Sequence, residues 1–389
     1  MEVKLYNQIV NDKDFFNLKK LQYKYNKKDV DEVLEILKEN EYIELSIKDF
    51  LGKNLVYLKH IPQIEMNKIK SLLIPQGKEK YSMKEMEEEI HSTLLIENIQ
   101  SSRKKIRDIL KGYSPKDEEE NRIFGMKKGI EFISNKENKI TEENLYKLYQ
   151  MTIGEFLEEE NRLPQGNYYR DDDVFLMGSK VEHQGLESKK LDEYMKNFIN
   201  FINADDKINE LWKGAIIHFY FGYIHPYFDG NGRTARMLHL WYLIQKGYSS
   251  TLHLSFSQYI NSSKKEYYKA FSQVEENYKI SKRLDITPFI TYFIENVYNK
   301  LENKIYENGI FERYKQLLGE GKITEKEREL WSFVINSYGD REFSTKDLEK
   351  DYRDVAYATV RGFVLKFEEF GLLESQKYGS RVKYRVVGK

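Results

Sequence analysis

The sequence of 389 residues contains no cysteine and only six prolines. The lack of cysteine excludes disulfides and metal sites built on thiolates. Positive and negative residues balance at 63 each, so no overall charge attracts the chain to nucleic acid or to a membrane surface. No apolar run is long enough for a transmembrane helix, and residues 1–14 lack the pattern of a signal peptide. These absences predict a cytoplasmic protein without a membrane partner.

What the chain contains instead is a large supply of helix-forming and aromatic residues. Hydrophobic residues make up 40% and charged residues 32% of the chain, the balance of a globular protein with an ample core. Long segments rich in Lys, Glu, Leu and Ile, with few prolines to interrupt them, predict a mainly α-helical fold. A chain of this length is expected to hold two or three domains.

The most informative segment, 225–236, places charged residues and glycines between two apolar helical patterns. The pattern before it, 208–224, must stop at its end because Pro226 disfavours helical backbone in the residue that precedes it. The pattern after it, 234–246, is expected to end at Gly247, a residue type favoured just beyond helix C-termini. The loop therefore opens into a helix N-terminus, where free backbone N–H groups and the helix dipole bind anions.

Five residues of this loop and helix start suit the binding of phosphate groups. Gly230 and Gly232 would let the backbone approach phosphate oxygens, with positive φ expected at both. Asn231 can donate a hydrogen bond to a phosphate oxygen. Arg233 and Arg236 bring positive charge to a helix N-terminus, where capping alone would favour acidic residues. The two arginines are therefore expected to face phosphate.

Two further residues of the loop suit the chemistry of a transfer reaction. Asp229 offers a hard oxygen ligand for Mg²⁺, which takes one or two carboxylates in addition to phosphates and water. His225 has an unperturbed pKa near neutrality and can take the proton from an attacking hydroxyl. The loop as a whole suits a nucleoside triphosphate bound with a divalent cation. The alternative is a structural turn whose histidine merely caps its helix.

The segment 225–236 closely resembles the signature of the Fic family, H-x-F-x-D/E-G-N-G-R-x-x-R, with Tyr227 in place of the usual Phe. The resemblance implies an all-helical core that moves AMP from ATP, bound with Mg²⁺, to a Ser, Thr or Tyr hydroxyl of a protein, its own chain included. It implies His225 as the general base and Asp229 as the Mg²⁺ ligand. The remaining matched residues would hold phosphates: Gly230, Asn231 and Gly232 the α- and β-phosphates, Arg233 the β-phosphate and Arg236 the γ-phosphate.

A second motif, Thr93–Asn98, lies in a proline-free run of helix formers, 83–110, which predicts one helix. Glu97 would share a helical face with apolar residues, and Thr93 would help to orient its carboxylate. The hexapeptide matches the inhibitory pattern S/T-x-x-x-E-G/N of Fic proteins. This resemblance implies that Glu97 pairs with Arg236 and so prevents the γ-phosphate of ATP from binding to that arginine. In some relatives the same glutamate positions water to remove AMP from targets. A solvated surface glutamate is the alternative.

Two supporting segments flank the signature. A β-rich run, a Gly-Ser turn and a second short run predict a hairpin near 174–182, and the aspartates 171–173 before it are expected to be solvated. Its position resembles the Fic flap, which implies that a protein target binds along it by strand pairing. Downstream, Tyr267 and Tyr268 resemble residues that close the adenine pocket in relatives. A place in the helix core is the alternative for these two tyrosines.

The chain divides into four predicted parts: an N-terminal α/β region at 1–78, the Fic domain at 79–305, a connector at 306–322 and a winged helix-turn-helix at 323–389. The last is predicted from three helical patterns and two alternating runs. Residues 340–389 hold eleven basic and nine acidic residues, a weak charge footprint for DNA binding. Protein contact or dimerisation, giving a homo-oligomer, is the alternative role.

Three other functions remain open from the sequence. A Fic protein can transfer phosphate or phosphocholine if the donor binds in another orientation. Removal of AMP through Glu97 is a second alternative. The third is a transcriptional regulator that binds DNA through the winged helix.

Overall fold

A computed structural model describes residues 2–66, 68–69, 83–177, 181–248, 251, 254–301, 310–338, 341–352, 355–379 and 381–387. Helices dominate it, and each of its three sheets is a two-stranded antiparallel hairpin. The predicted fold class, mainly α with a short hairpin beside the helical core, is confirmed. No helix of the described residues is both long and apolar enough to cross a membrane.

The helices, in chain order, are α1 (Val3–Val10), α2 (Leu18–Lys24), α3 (Lys27–Asn40), α4 (Met83–Ile96), α5 (Arg103–Leu110), α6 (Glu118–Ser134), α7 (Glu142–Thr152), α8 (Leu191–Asn203), α9 (Glu210–Ile224), α10 (Asn231–Gln245), α11 (Phe256–Ser262), α12 (Lys264–Ser281), α13 (Thr287–Asn296), α14 (Ile310–Gly319), α15 (Glu325–Ser337), α16 (Thr345–Tyr352) and α17 (Tyr357–Glu369). The strands are β1 (Tyr42–Lys48), β2 (Asn54–Leu58), β3 (Phe175–Met177), β4 (Val181–Gln184), β5 (Leu373–Tyr378) and β6 (Arg381–Val386).

The N-terminal elements share one hydrophobic core with the central helices, and this core runs from Ile9 to Leu301. Backbone hydrogen bonds join them: the Val56 N–H donates to Leu284 O at 3.0 Å, and the Ile286 N–H donates to Val56 O at 2.9 Å. The first hairpin is therefore fastened to the segment before α13. The predicted boundary near residue 78 lies outside the described residues.

Helices α9 and α10 form the centre of this core and pack against each other across the loop between them. Both bury most of their side chains, as expected of helices surrounded by other elements. As predicted, α9 ends before Pro226, with His225 in the left-handed region at φ 57°. Helix α10 begins at Asn231, three residues earlier than predicted, because Gly230 at φ 80° already turns the chain into the helix.

The predicted single helix over 83–110 is wrong, because the chain forms α4 and α5 with a break between them. Asn98 adopts φ 58°, and the N–H groups of Asn98 and Ile99 donate back to Leu95 O and Leu94 O. This is the Schellman pattern of a helix C-terminus, which places Glu97 at the C-cap. Glu97 therefore stands at the end of the helix, where its side chain can reach a neighbouring element.

A second hydrophobic core, from Leu317 to Tyr384, gathers the C-terminal elements. Helix α14 lies in the described part of the predicted connector 306–322 and contributes Leu317 to this core, and the predicted domain division stays a prediction. Helices α15, α16 and α17 precede the hairpin of β5 and β6 in the predicted order. The winged helix-turn-helix itself stays a prediction. Helix α15 packs against α4, and Arg341 Nη1 lies 3.5 Å from Glu87 Oε2 of α4.

Candidate active site

The loop between α9 and α10 is held in shape by its own asparagine. The Tyr227 N–H donates to Asn231 Oδ1 at 3.0 Å, and Asn231 Nδ2 donates to Tyr227 O at 2.8 Å. These two bonds close a ring that fixes the loop over the first turn of α10. A Cβ on Gly230 would lie 2.6 Å from the side chain of Ile153, so the close packing also requires glycine there. One amide hydrogen of Asn231 remains for a ligand, and its phosphate role stays a prediction.

Arg236 joins this loop region to the end of α4. Its Nε donates to Thr93 Oγ1 at 2.8 Å, and its Nη2 donates to Glu97 Oε1 at 2.7 Å and to Thr93 O at 3.2 Å. The Thr93 hydroxyl accepts from the guanidinium that holds Glu97, and its predicted role in orienting that carboxylate stays a prediction. Nη1 of Arg236 is buried and has no hydrogen-bond partner among the described residues. An unsatisfied donor on a buried cation is costly unless a ligand completes it.

Glu97 closely approaches Gly232. A Cβ on Gly232 would lie 2.5 Å from Glu97 Oε1, so a side chain at this position would displace the carboxylate. The positive φ predicted at Gly232 is wrong, because this residue already lies in the first turn of α10. Glu97 therefore covers the helix N-terminus that the sequence assigns to phosphate, with its carboxylate in the place of an anion.

The charges of Glu97 and Arg236 reinforce each other. Burial alone would raise the pKa of Glu97, but the positive charge of Arg236, with weaker help from Arg233 and Lys264, holds that pKa below its ordinary value of 4.5. Burial would lower the pKa of Arg236, and the Glu97 carboxylate outweighs it and raises that pKa. Both groups are thus ionised at neutral pH, and the contact is an ion pair.

The ion pair predicts a pH dependence of stability. A carboxyl whose pKa is lowered by folding contributes stability above its unfolded pKa and loses it as the pH falls. The difference in free energy of unfolding between wild type and Glu97→Gln is therefore expected to be constant from about pH 8 to about pH 5 and to shrink at lower pH. Urea unfolding across this range measures it.

A second carboxyl of α4 provides the control for this measurement. Glu89 is buried, and burial raises its pKa although Ser255 and Ser257 donate hydrogen bonds to it. A carboxyl whose pKa is raised by folding contributes less to the free energy of unfolding as the pH rises. The difference in free energy of unfolding between wild type and Glu89→Gln should therefore fall with rising pH, opposite to the difference for Glu97→Gln. The same slope for both variants would contradict the ion-pair assignment.

Arg233 and Asp229 form a second charged pair beside the loop. Arg233 Nη2 lies 3.3 Å from Asp229 Oδ2, and Arg233 Nε is buried without a hydrogen-bond partner among the described residues. The Asp229 side chain is 56% exposed and stands at the mouth of the site. No group of three or more His, Cys, Asp or Glu side chains within the described ranges forms a metal cage. One exposed carboxylate fits Mg²⁺, which completes its shell with phosphates and water.

His225 is presented by an unusual backbone conformation at the end of α9. Left-handed backbone is uncommon for residues other than glycine, and it turns the imidazole out of the helix line. The ring Nδ1 lies 3.3 Å from Gly222 O. A proton on Nδ1 that is donated to this carbonyl leaves the lone pair of the neutral ring on Nε2, the atom suited to accept a proton.

The hairpin of β3 and β4 stands beside His225. Phe175 pairs with Gln184 in an antiparallel register. The predicted Gly-Ser turn lies in 178–180, outside the described residues. The aspartates 171–173 are exposed at the start of the hairpin, as expected for solvated side chains.

Tyr267 faces the core, and a chain of hydrogen bonds fixes its direction. The Tyr298 hydroxyl donates to Leu211 O, so it accepts from Nε2 of His239, whose pKa burial lowers to about 3. The neutral His239 can then accept from His218 through the two Nδ1 atoms, 3.4 Å apart. This leaves His218 Nε2 to accept the Tyr267 hydroxyl at 2.8 Å. The hydroxyl hydrogen of Tyr267 thus points away from a ligand, and adenine contact by its ring stays a prediction.

Tyr268 and Lys264 of α12 hold the end of α4. The Tyr268 hydroxyl donates to Ile96 O at 3.2 Å, and Lys264 Nζ donates to Leu95 O at 3.1 Å and to Asn98 Oδ1 at 2.8 Å. A cation at a helix C-terminus complements the negative end of the helix dipole. The sequence prediction missed Lys264, although its spacing from Tyr268, one helical turn, was the available signal. Contact of Tyr268 with adenine stays a prediction.

Tyr227 replaces the usual Phe of the signature without a compensating bond. Its ring is buried and stacks on Tyr149 with centroids 3.7 Å apart. Its hydroxyl is buried and has no hydrogen-bond partner among the described residues. A buried hydroxyl without a partner costs stability, so the tyrosine is a local defect in the packing below the loop.

Tyr227→Phe is expected to raise the free energy of unfolding by about 1 kcal/mol, because it removes the unpaired hydroxyl and keeps the ring. Urea unfolding of wild type and variant measures the difference. Tyr169→Phe is the matched control, since the Tyr169 hydroxyl donates to Glu142 Oε1 at 2.8 Å and its loss should destabilise. Equal destabilisation by both substitutions would show that the Tyr227 hydroxyl has a partner.

Comparison with known proteins bears on this site directly. Residues 139–243 match the Fic/DOC family. A stretch of 180 residues, 45% of this chain, is 24% identical to the protein adenylyltransferase Fic of Nematostella vectensis and covers 37% of it. A stretch of 186 residues is 24% identical to the protein of that name from Drosophila willistoni, over 46% of this chain and 32% of that one. The chain thus spans about a third of the length of these relatives.

The fold agrees with the family match. It is similar to the crystal structure of a Fic family protein from Desulfovibrio desulfuricans G20, with a TM-score of 0.50 and 17% identity over 85% of this chain and 99% of that one. A stretch of 204 residues is also 28% identical to the glutamate–cysteine ligase of Wigglesworthia glossinidia brevipalpis, over 48% of this chain and 37% of that one, and neither the family match nor the fold supports that activity. The signature loop, the family match and the shared fold agree, and the chain carries a Fic domain at residues 139–243.

Proposed function

We propose that this protein moves AMP from ATP to a Ser, Thr or Tyr hydroxyl of a protein, its own chain included, and that Glu97 inhibits this transfer. The observation that carries the proposal is the state of Arg236. It is a buried cation in the second turn of α10, it is paired with a carboxylate from another element, and one of its nitrogens has no hydrogen-bond partner among the described residues. Phosphate oxygens would satisfy that nitrogen and replace the carboxylate.

The loop residues divide the chemistry between them. The imidazole of His225 takes the hydroxyl proton, and the hydroxyl oxygen forms a bond to the α-phosphorus. The bond from that phosphorus to the oxygen bridging to the β-phosphate breaks, and pyrophosphate leaves with the electron pair. Arg233 and the N–H groups at the start of α10 stabilise its charge. Asp229 would hold Mg²⁺, which neutralises phosphate charge when bound.

Glu97 inhibits by position and by charge. Its carboxylate lies against Gly232 and takes a hydrogen bond from Arg236, the residue proposed for the γ-phosphate. A γ-phosphate brought to the same place would meet this negative charge at short range. ATP that binds without this contact would not align its α-phosphorus with the attacking oxygen. Inhibition then lasts until the end of α4 moves or the ion pair breaks.

The target would bind along the hairpin near 174–182. An extended segment pairs with an exposed strand through main-chain hydrogen bonds, with little demand on its sequence. Such pairing brings a side-chain hydroxyl toward His225, beside which β4 ends. Because this pairing requires little of the target's sequence, an extended segment of the same chain or of a second copy can bind the hairpin. Self-modification is therefore expected.

Labelled ATP tests the reaction class. Purified protein is incubated with Mg²⁺ and ATP that carries label on either the α- or the γ-phosphate. Label from the α-phosphate on the protein supports AMP transfer, and label from the γ-phosphate would show phosphate transfer instead. Competition by a phosphocholine donor and release of AMP from pre-modified protein test the two remaining enzymatic alternatives.

For the predicted winged helix at 323–389 we propose protein contact or dimerisation. Two of its basic residues are already paired: Lys366 with Glu327 at 2.8 Å and Arg385 with Glu374 at 2.6 Å. Such pairing weakens the positive field that DNA binding requires. Salt-sensitive binding of a DNA duplex by the full chain would overturn this proposal and favour the regulator.

A further inference from the structure

The backbone carbonyls of residues 224–226, around the proposed general base His225, all accept hydrogen bonds from the hairpin. The donors lie in its two legs, the segments that lead into β3 and out of β4. The Leu186 N–H donates to Ile224 O at 3.0 Å, and the Arg170 N–H donates to Pro226 O at 3.1 Å. Between them, Arg170 Nε donates to His225 O at 2.8 Å. The backbone that presents the imidazole is therefore fastened to the hairpin on both sides.

The guanidinium of Arg170 also joins the two legs to each other. Its Nη1 donates to Asp172 O of the first leg at 2.5 Å, and its Nη2 donates to Leu186 O of the second. The side chain is completely buried, and its Nη1 lies 3.8 Å from Asp173 Oδ1. Burial lowers the pKa of Arg170, so holding a cation here has an electrostatic cost. Each of the three guanidinium nitrogens donates to a backbone carbonyl. The buried cation therefore fixes the relative positions of the segments that carry these carbonyls.

The joint has no spare room. A Cβ on Gly185 would lie 2.8 Å from Arg170 Nη2, 2.9 Å from Val174 Cγ2 and 3.2 Å from His225 Cβ. Gly185 of the second leg thus packs directly against both the Arg170 guanidinium and His225. A shift of the hairpin by the width of a methyl group would move His225 with it.

We propose that Arg170 is a positioning residue that fixes the distance between a target strand on the hairpin and the imidazole of His225. The proposal rests on the function proposed above. It explains why an arginine is buried among carbonyls: a planar fork reaches three acceptors in fixed directions, and the single ammonium of lysine cannot. It also explains how His225 is kept in left-handed backbone, which is strained for a residue with a side chain.

Arg170→Lys in a Glu97→Gly background tests the proposal by steady-state kinetics. The kcat for AMP transfer to protein is expected to fall about 100-fold, the order of loss from a misplacement of about 1 Å. The KM for ATP should change less than about twofold, because Arg170 touches none of the proposed phosphate ligands. Arg162→Lys is the matched control: its Nε also donates to a backbone carbonyl, Leu157 O at 2.8 Å, but outside the hairpin. It should leave kcat unchanged.

Gly185→Ala provides a second variant that keeps every hydrogen-bond donor and disturbs the same joint by one methyl group. It should give the same loss of kcat with the same small change in KM. Equal kcat in Arg170→Lys and Arg162→Lys would overturn the proposal. So would a KM for ATP that rises in step with the loss of kcat, together with a lower thermal midpoint, since that pattern marks a structural residue.

Proton NMR of the His225 ring separates this proposal from the proposed reaction. Arg170→Lys and Gly185→Ala should shift the His225 ring resonances in protein without nucleotide, and Arg162→Lys should not. Unchanged His225 resonances in both hairpin variants would overturn the positioning role. If the His225 resonances shift in both hairpin variants but the Glu97→Gly protein transfers no AMP, the positioning role of Arg170 is supported and the proposed reaction is wrong.

Discussion

Glu97→Gly is expected to modify itself with AMP about 10- to 100-fold faster than the wild type when both are incubated with Mg²⁺ and ATP. The range follows from the usual free energy of coupling between two sites, because Glu97 and the γ-phosphate compete for one guanidinium. Intact-mass spectrometry over a time course measures the rate as the growth of an adduct of one AMP.

The expected gain has a direct structural reason. Without the carboxylate, Arg236 keeps its bonds to Thr93, Nη2 loses one of its two acceptors, and the space over Gly232 opens. The guanidinium is then a buried cation without a counter-ion, which lowers stability. ATP supplies the missing charge. Its addition should therefore raise the thermal midpoint of Glu97→Gly more than that of the wild type.

Glu88→Gly is the matched control on the same helix. Glu88 pairs with Arg103 at 2.8 Å, away from the loop, and the substitution also replaces a charged residue of α4 with glycine. It should leave the rate of self-modification at the wild-type level. A comparable gain in Glu88→Gly would show that loosening α4 is sufficient and that the carboxylate of Glu97 is not the inhibitor. No gain in either variant would remove the autoinhibition proposal.

The parts of the site that follow from neighbouring residues could be predicted from the sequence. Pro226 ends α9, and Gly230 at positive φ starts α10, so one short segment determines the helix start that is proposed to bind phosphate. The apolar patterns on either side predict the two buried helices that carry it. The Fic signature is itself local, and the match over residues 139–243 places it inside a Fic domain.

The parts that depend on distant segments meeting in space could not be predicted from the residues alone. Glu97 and Arg236 are 139 residues apart, and only the family resemblance implied that they pair. Only the fold shows that Thr93 binds the arginine and that the carboxylate lies against Gly232. The end of α4 was missed for another reason. Asn98 tolerates left-handed backbone and so ends the helix, although the composition of 83–110 favours one continuous helix. The sequence shows that an arginine stands at position 170, but the carbonyls to which it donates lie in other segments and are known only from the fold.

His225→Ala in the Glu97→Gly background is expected to lower self-modification by at least about 100-fold, the smaller end of what a positioned general base contributes. The contact of Nδ1 with Gly222 O favours the tautomer of the neutral ring whose lone pair is on Nε2, the nitrogen proposed to take the proton. Alanine leaves the residues proposed to bind phosphate in place, so ATP should still bind. Intact-mass spectrometry gives the rate, and the shift of the thermal midpoint on adding ATP reports binding.

His60→Ala is the control for loss of an imidazole, since His60 lies on the surface, paired with Glu41 at 2.8 Å. It should modify itself as fast as Glu97→Gly alone. If His225→Ala in that background stays equally active while it binds ATP, the proton passes to another group and the assignment of the base is wrong. If it loses ATP binding together with activity, His225 supports the loop instead of the reaction. Only loss of transfer with binding retained identifies His225 as the residue that activates the hydroxyl.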